Sequence, residues 1–328
     1  MKKKRLYVIG NGFDIHHGIR SRYADFEQYL KENDSWLRHK LEKYLPVEHL
    51  WSDFESALEC LDPDDVLWGN INSLPSYGAA DWKDSGYWDY QLSVSQDYDL
   101  LTKEMKKRFT EWILQVRQFP TCVHDRMVNI ARDAQYLNFN YTDTLERVYG
   151  IKEERIVYIH GKAVDTNSSL VLGHARDPKT IPPRKKKAPK DEDDDTGDWR
   201  VDEAERVIDD YWKENYKPTR KILQEHAAFF TGLKDVEEVH VLGHSMSPVD
   251  MPYFRAISEY INRDVVQWYV SYYNFNELQP KRMAFKDIRV SLSLVTFDKL
   301  PALYSPQLLL FNEVATRMVL QPEEATIV

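Results

Sequence analysis

Tyr7-Val8-Ile9-Gly10-Asn11-Gly12-Phe13-Asp14 is an apolar strand running into a Gly-x-Gly turn, with the basic start Lys2-Lys3-Lys4 just ahead of it. A buried strand that ends in paired glycines brings a following helix close and lets a phosphate approach backbone N–H groups. The same turn also serves any α/β protein as a tight corner, so the rest of the chain has to decide between the two. Further along, the pattern recurs. Ala134 to Phe139 runs into Asn140-Tyr141-Thr142-Asp143, and Ile156 to Ile159 into His160-Gly161. Leu170 to Leu172 leads to Gly173-His174, Glu238 to Leu242 to Gly243-His244-Ser245, and Gln267 to Tyr272 closes the series. Apolar strands with polar, Gly-containing ends are what an open parallel sheet requires, because ligands sit at the carboxyl ends of its strands. The expected fold class is α/β, a Rossmann-like, doubly wound and mostly parallel sheet with helical insertions.

Between the strands the pattern turns helical. Phe26, Tyr29 and Leu30 fall on one face, and helical patterning continues over Ser35 to Leu45 and again from Trp51 to Leu61. Gly69 to Gln96 reads as a loop, and Asp97 to Gln118 as one long helix. Thr142 or Asp143 is expected to cap a short helix over Leu145 to Val148. Pro178 to Gly197 holds Arg184-Lys-Lys-Lys187 followed at once by Asp191-Glu-Asp-Asp-Asp195, a solvated charged loop, and Asp202 to Phe230 is helical. The chain is therefore expected to be a single α/β nucleotide-binding domain over 1–328. A mainly helical insertion spans about 27–132, and a flexible charged loop plus helices spans about 176–232.

Composition narrows the function. The chain has 328 residues, 42% of them apolar, and a net charge of −9, which gives no electrostatic reason to expect nucleic-acid binding. Nine Trp, twenty Tyr and thirteen Phe suggest packed or partner-facing surface. Two cysteines, Cys60 and Cys122, make neither a four-cysteine zinc site nor a secreted disulfide framework. No stretch approaches the roughly 20 apolar residues of a membrane span, and the glycine turn interrupts any leader-like run. A cytoplasmic protein with no membrane partner is expected.

Four strand ends carry groups suited to chemistry: Gly10 to Asp14, Asn138 to Asp143, His160-Gly161 and Gly243 to Ser247. Each alone is an ordinary turn, since Asn and Gly tolerate left-handed backbone and His can satisfy a buried carbonyl. Together, a doubly wound sheet brings them to one rim. Trp51, Phe54 and Leu58 read as a core stripe, Glu55 within it as a salt-bridged or solvated carboxylate, and Tyr253-Phe254 as helix-to-sheet packing. Asp250 reads as a helix N-cap before Met251-Pro252.

Gly10-Asn11-Gly12-Phe13-Asp14, Gly18-Ile19, Tyr23-x-x-Phe26, Asn138-Phe-Asn-Tyr-Thr-Asp-Thr-Leu-Glu146, Ile159-His-Gly161, Leu172-Gly-His174 and Val241-Leu-Gly-His-Ser-Met-Ser-x-x-Asp250 resemble the AbiH family of bacteriophage abortive-infection proteins. The resemblance covers roughly residues 5 to 275 and implies a role in anti-phage defence. More distantly, the order strand-Gly-x-Gly, Asn, His-Gly, Gly-x-Ser is similar to sirtuin-like proteins, which bind NAD and in defence systems cleave it. That resemblance implies NAD as substrate or ligand, with Gly10, Asn11 and Gly12 against the pyrophosphate and Gly243 and Ser245 on a phosphate or ribose. Asn140 would position a water at the nicotinamide ribose and His160 would act as base. Phe13, Asp14, Asn138, Tyr141 and His244 complete the expected ligand-binding set. Two departures stand out: the acid follows Asn140 only at Asp143, and no four-cysteine zinc ribbon is present, which argues against protein deacylation.

Two other readings remain open. His16, His17, His160, His174 and His244 with Asp14 and Asp250 are residue types that a metal-dependent nuclease or phosphoesterase would use, although their spacing shows no ligand pattern and no metal is expected. Alternatively, the turns bind a nucleotide signal without cleaving it. A toxic activity also needs restraint before infection, so an activation step is expected, through a homo-oligomer or a defence-system partner protein.

Overall fold

A computed structural model describes residues 3–74, 88–117, 126–182 and 199–299. Six strands form one all-parallel sheet: β1 Arg5–Ile9, β2 Gln135–Asn138, β3 Ile156–Tyr158, β4 Glu238–Leu242, β5 Gln267–Ser271 and β6 Ser291–Val295, in the order β3-β2-β1-β4-β5-β6. This is the doubly wound arrangement expected from the strand ends. Leu6 to Ile9 and all of β4 are buried, as central strands covered on both faces must be, and this is why they read as mostly apolar, with Glu238 and His240 the polar residues of β4. Strand order reverses between β1 and β4, so the crevice of such a sheet opens beyond Ile9 and Leu242, which are register partners.

The helices in chain order are α1 Asn11–His16, α2 Tyr23–Asn33, α3 Ser35–Tyr44, α4 Val47–Leu50, α5 Phe54–Leu58, α6 Pro63–Gly69, α7 Asp89–Asp99 and α8 Met105–Val116. They are followed by α9 Thr144–Tyr149, α10 Trp199–Asp209, α11 Tyr211–Glu214, α12 Thr219–Glu225, α13 Ala227–Thr231, α14 Met251–Tyr260 and α15 Leu278–Lys286. One sheet face buries Leu6, Val8, Val239 and Val241 against Phe254 of α14 and Phe285 of α15. The other buries Tyr7, Ile9 and Leu242 against Phe13, Leu145 and Tyr149. Across that second face Tyr136, Tyr7, His240 and Tyr269 stack in sequence with ring centroids 4.9–5.1 Å apart, one ring from each of four neighbouring strands. A third core lies away from the sheet, where Phe26, Phe54, Phe109 and Trp112 pack with Ala204, Ile208 and Tyr211, so helices from both insertions share one interior.

Several local expectations are corrected. No strand forms over Leu170 to Leu172, where the chain instead crosses the rim as an irregular strap. The region from Gly69 to Gln96 is not all loop, because α7 begins at Asp89; residues 75–87 within it lie outside the described residues. The helix read from Asp97 runs from Asp89 to Val116, with a π turn at Leu100–Glu104 taking up an extra residue. Asp202 to Phe230 breaks into four short helices. The basic and acidic runs at 184–195, and Cys122, lie outside the described residues. Beyond Asn276, where the sequence reading is silent, α15 and the edge strand β6 complete the sheet.

Candidate functional site

The strand ends do meet. The turn after β1 lies directly on the turn after β4: Gly10 N donates to Leu242 O at 2.9 Å and Gly12 N to Gly243 O at 2.7 Å. A Cβ on Gly12 would stand 2.7 Å from Gly243 O, and one on Gly243, whose φ is +68°, would stand 2.1 Å from Phe13 N. The three glycines are therefore explained by backbone packed on backbone, and the Gly12 N–H is spent inside the protein. Asn11 pins the same loop through Ser21, its Nδ2 donating to Ser21 O and its Oδ1 accepting from Ser21 Oγ.

Asp14 is buried one turn further on. Its carboxylate accepts from Thr142 Oγ1 at 2.5 Å and Thr144 Oγ1 at 2.7 Å, which ties the β1 turn to the β2 turn. Burial pushes its pKa up to about 6 in spite of these bonds. The Asn140 amide faces the same carboxylate closely enough to favour its charge, yet its buried Nδ2 completes no hydrogen bond. Neither Thr142 nor Asp143 caps α9 with its side chain. Thr142 is taken by Asp14, and Asp143 is paired with Arg117 at 2.5 Å.

Beside Asn140, the Phe139 and Tyr141 rings lie 5.1 and 6.4 Å from the ring of His160, at the end of β3. His160 Nε2 is 3.5 Å from Asp250 Oδ1, and His244 Nε2 is 3.5 Å from Asp250 Oδ2. Burial holds both imidazoles neutral, with pKa values near 3 for His160 and 4 for His244, and Lys217 adds to the effect. Asp250 occupies the N-cap position of α14 but caps nothing; its carboxylate faces the two imidazoles and Lys217 Nζ, 3.2 Å away. Lys217 also meets Glu55 at 2.7 Å, so one fully buried ammonium joins α5, the α11–α12 link and the sheet rim.

Burial alone would lower Lys217, but Asp250 and Glu55 outweigh it and keep the ammonium charged. Burial works to raise Asp250, yet Lys217 and the two imidazoles hold it ionised. Burial raises Glu55 to about 7 against the pull of Lys217, which makes it the carboxyl of the pair that takes a proton more readily.

The strap at 171–174 sets this cluster. Val171 N donates to His160 O, His174 N to Asn215 O, and Lys217 N to His174 O, all at 2.8–2.9 Å. A Cβ on Gly173 would lie 2.0 Å from Asn215 O, so only glycine lets the strap close on the Lys217 segment. α11 ends at Glu214 and α12 begins after its N-cap Pro218, so the Asn215–Lys217 backbone between them is open to the strap.

The remaining expected residues support the rim from behind. Phe13 is core beside Tyr149, Asn138 Oδ1 accepts from Asn140 N at 3.0 Å, and Tyr141 OH donates to Val171 O at 2.8 Å. Ser245 is exposed beside Gly243. His17 is used twice: Tyr149 OH accepts from Val128 N and donates to His17 Nε2, leaving His17 Nδ1–H to donate to Phe13 O. His16 stacks on Phe297, away from the rim histidines. Among the described residues no three His, Cys, Asp or Glu side chains converge in a metal-binding group, and the fixed cation of the cluster is Lys217.

A Rossmann-type α/β protein with a buried polar rim at its switch point is the class that this fold and site define. The chain belongs to the bacteriophage abortive infection AbiH family, whose model matches residues 6–272, which places it in defence against bacteriophage by abortive infection. Neither the curated proteins nor the solved structures compared with the chain match it. Among the described residues no helix is long and apolar enough to cross a membrane.

Proposed function

We propose that the rim at the β1–β4 switch point binds NAD or a related nucleotide and hydrolyses its N-glycosidic bond, and that this is how the chain acts against phage. The observation that supports the reading is that the rim carries two buried polar groups after the adjacent strands β2 and β3: the Asn140 amide, which faces Asp14, and His160, whose ring faces Asp250. Breaking that bond develops positive charge on the ribose. Ionised Asp250, and Asp14 above about pH 6, oppose that charge in a setting where water screens little. Asn140 Nδ2 has a donor free to orient substrate or water, and His160 is the neutral imidazole available to take the proton. Because Gly12 N–H is internally bonded, the glycines act by letting the two turns close up, and phosphate contacts fall to Ser245 and the exposed side of the turns. The helical lobe, tied to the rim through Glu55 and Lys217, is where an activating partner or second copy would act.

The test is release of nicotinamide from NAD by the purified full chain. Asn140→Ala and His160→Ala are expected to reduce it by about 10²-fold or more while the chain stays folded. Wild-type turnover by both variants would remove the proposal. One observation favours binding without cleavage: an imidazole with a pKa near 3 is a weak base at neutral pH. That reading expects NAD to bind without nicotinamide release.

A further inference from the structure

Asp250 is the point on which the rim's protons depend. Its Oδ1 faces both Lys217 Nζ and His160 Nε2, and its Oδ2 faces His244 Nε2. His244 Nδ1 accepts the Met246 N–H at 2.9 Å. A neutral His244 therefore carries its proton on Nε2, facing the carboxylate. The same electrostatics act on His160. At 3.5 Å the contact is longer than a formed hydrogen bond, but a nitrogen lone pair aimed at a carboxylate is repelled and an N–H is attracted. Lys217 and His244 also act on the ring, but Lys217 Nζ is paired with Asp250 Oδ1 and Glu55, and the remaining neighbours are the rings of Phe139, Tyr141 and Tyr253.

We propose that Asp250 is the positioning residue of the rim: ion-paired to Lys217, it fixes His160 in the tautomer protonated at Nε2 and leaves Nδ1 to accept a proton. The catalytic consequence rests on the hydrolytic reading above; the tautomer does not. In hydrolysis, water oxygen bonds to the ribose C1′ as the C1′–N bond breaks, and the bonding pair leaves with neutral nicotinamide. The proton lost by the water passes to His160 Nδ1, directly or through a ribose hydroxyl. The imidazolium so formed has Asp250 as its counter-ion until the proton goes to solvent. Asp250 thus raises the basicity of a ring that burial otherwise suppresses.

The experiment is ¹⁵N–¹H correlation of the histidine rings in the full chain near pH 7.5, with His160 assigned by its loss in His160→Gln. The expected spectrum shows a neutral His160 with its proton on Nε2, and Asp250→Asn moves the ring toward the other tautomer. Where nicotinamide release is measurable, Asp250→Asn is expected to lower kcat about tenfold or more with little change in KM. A wild-type His160 protonated at Nδ1 overturns the proposal, whatever the nucleotide assay gives, and the tautomer is read on the wild-type chain, with His160→Gln used for assignment alone. The Nε2 tautomer without any nicotinamide release would instead overturn the hydrolytic reading and leave the positioning role standing.

Discussion

Lys217 holds together groups that would not otherwise be buried side by side. It is fully buried between Glu55 and Asp250, and removing it leaves two carboxylates uncompensated in a low-dielectric setting. Lys217→Met is expected to destabilise the fold by about 3–5 kcal/mol, and adding Glu55→Gln should recover part of that loss. Denaturant unfolding of the single and double variants measures this, and a strictly additive pair would contradict the cluster as drawn. No sequence signal marks Lys217, a lone basic residue between Tyr216 and Pro218 whose two partners lie 162 and 33 residues away. Asp250 was legible as an N-cap position and misleading as an N-cap side chain, because its carboxylate gains more from Lys217 than from the first turn of α14. Asn140 and His160 were legible, since polar residues directly after apolar strands have to lie on the rim.

At the scale of elements, the glycine turns and the strap decide whether the rim closes. Gly243→Ala would add a Cβ 2.1 Å from Phe13 N at a left-handed φ, and Gly173→Ala one 2.0 Å from Asn215 O. Each is expected to cost about 3 kcal/mol or more, and the first should separate the β1 and β4 turns. Unchanged thermal unfolding in either variant would contradict this packing. The buried central strands were readable because both faces are covered, so β1 from Leu6 to Ile9 is apolar and β4 is mostly so, with His240 buried in the ring stack. The strap was not: Val171-Leu172 has the apolar look of a strand, but its partners are His160, Asn215 and Lys217 rather than a sheet neighbour. β6, half-buried along an edge, carries too little apolar signal to read.

Across the whole molecule, buried histidines set the response to acid. Burial lowers His17, His174, His240 and His244 to about 4 and His160 to about 3, below the 6.5 of an unfolded chain. The unfolded state thus binds protons that the folded rings refuse, and stability is complete above pH 6.5 and lost as pH falls toward 4. Asp14, raised to about 6 from 3.8, acts with the opposite sign, losing its contribution as pH rises through 6; Glu55 shares that sign. Five rings outweigh two carboxyls, at about 1.4 kcal/mol per proton per pH unit. Thermal midpoints should fall steeply between pH 6.5 and 4, and a flat profile would contradict the buried neutral rings. The shared core of the two insertions was invisible in sequence, since their apolar stripes do not reveal that they pack on each other. Glu55, Lys217 and Asp250 join that lobe to the rim, which is where the proposed chemistry would act. The most direct test is phage plating on cells expressing Asn140→Ala, His160→Ala or Asp250→Asn at wild-type levels of folded protein. Loss of the protection that the wild-type chain gives is the expected result, and full protection by all three variants would contradict it.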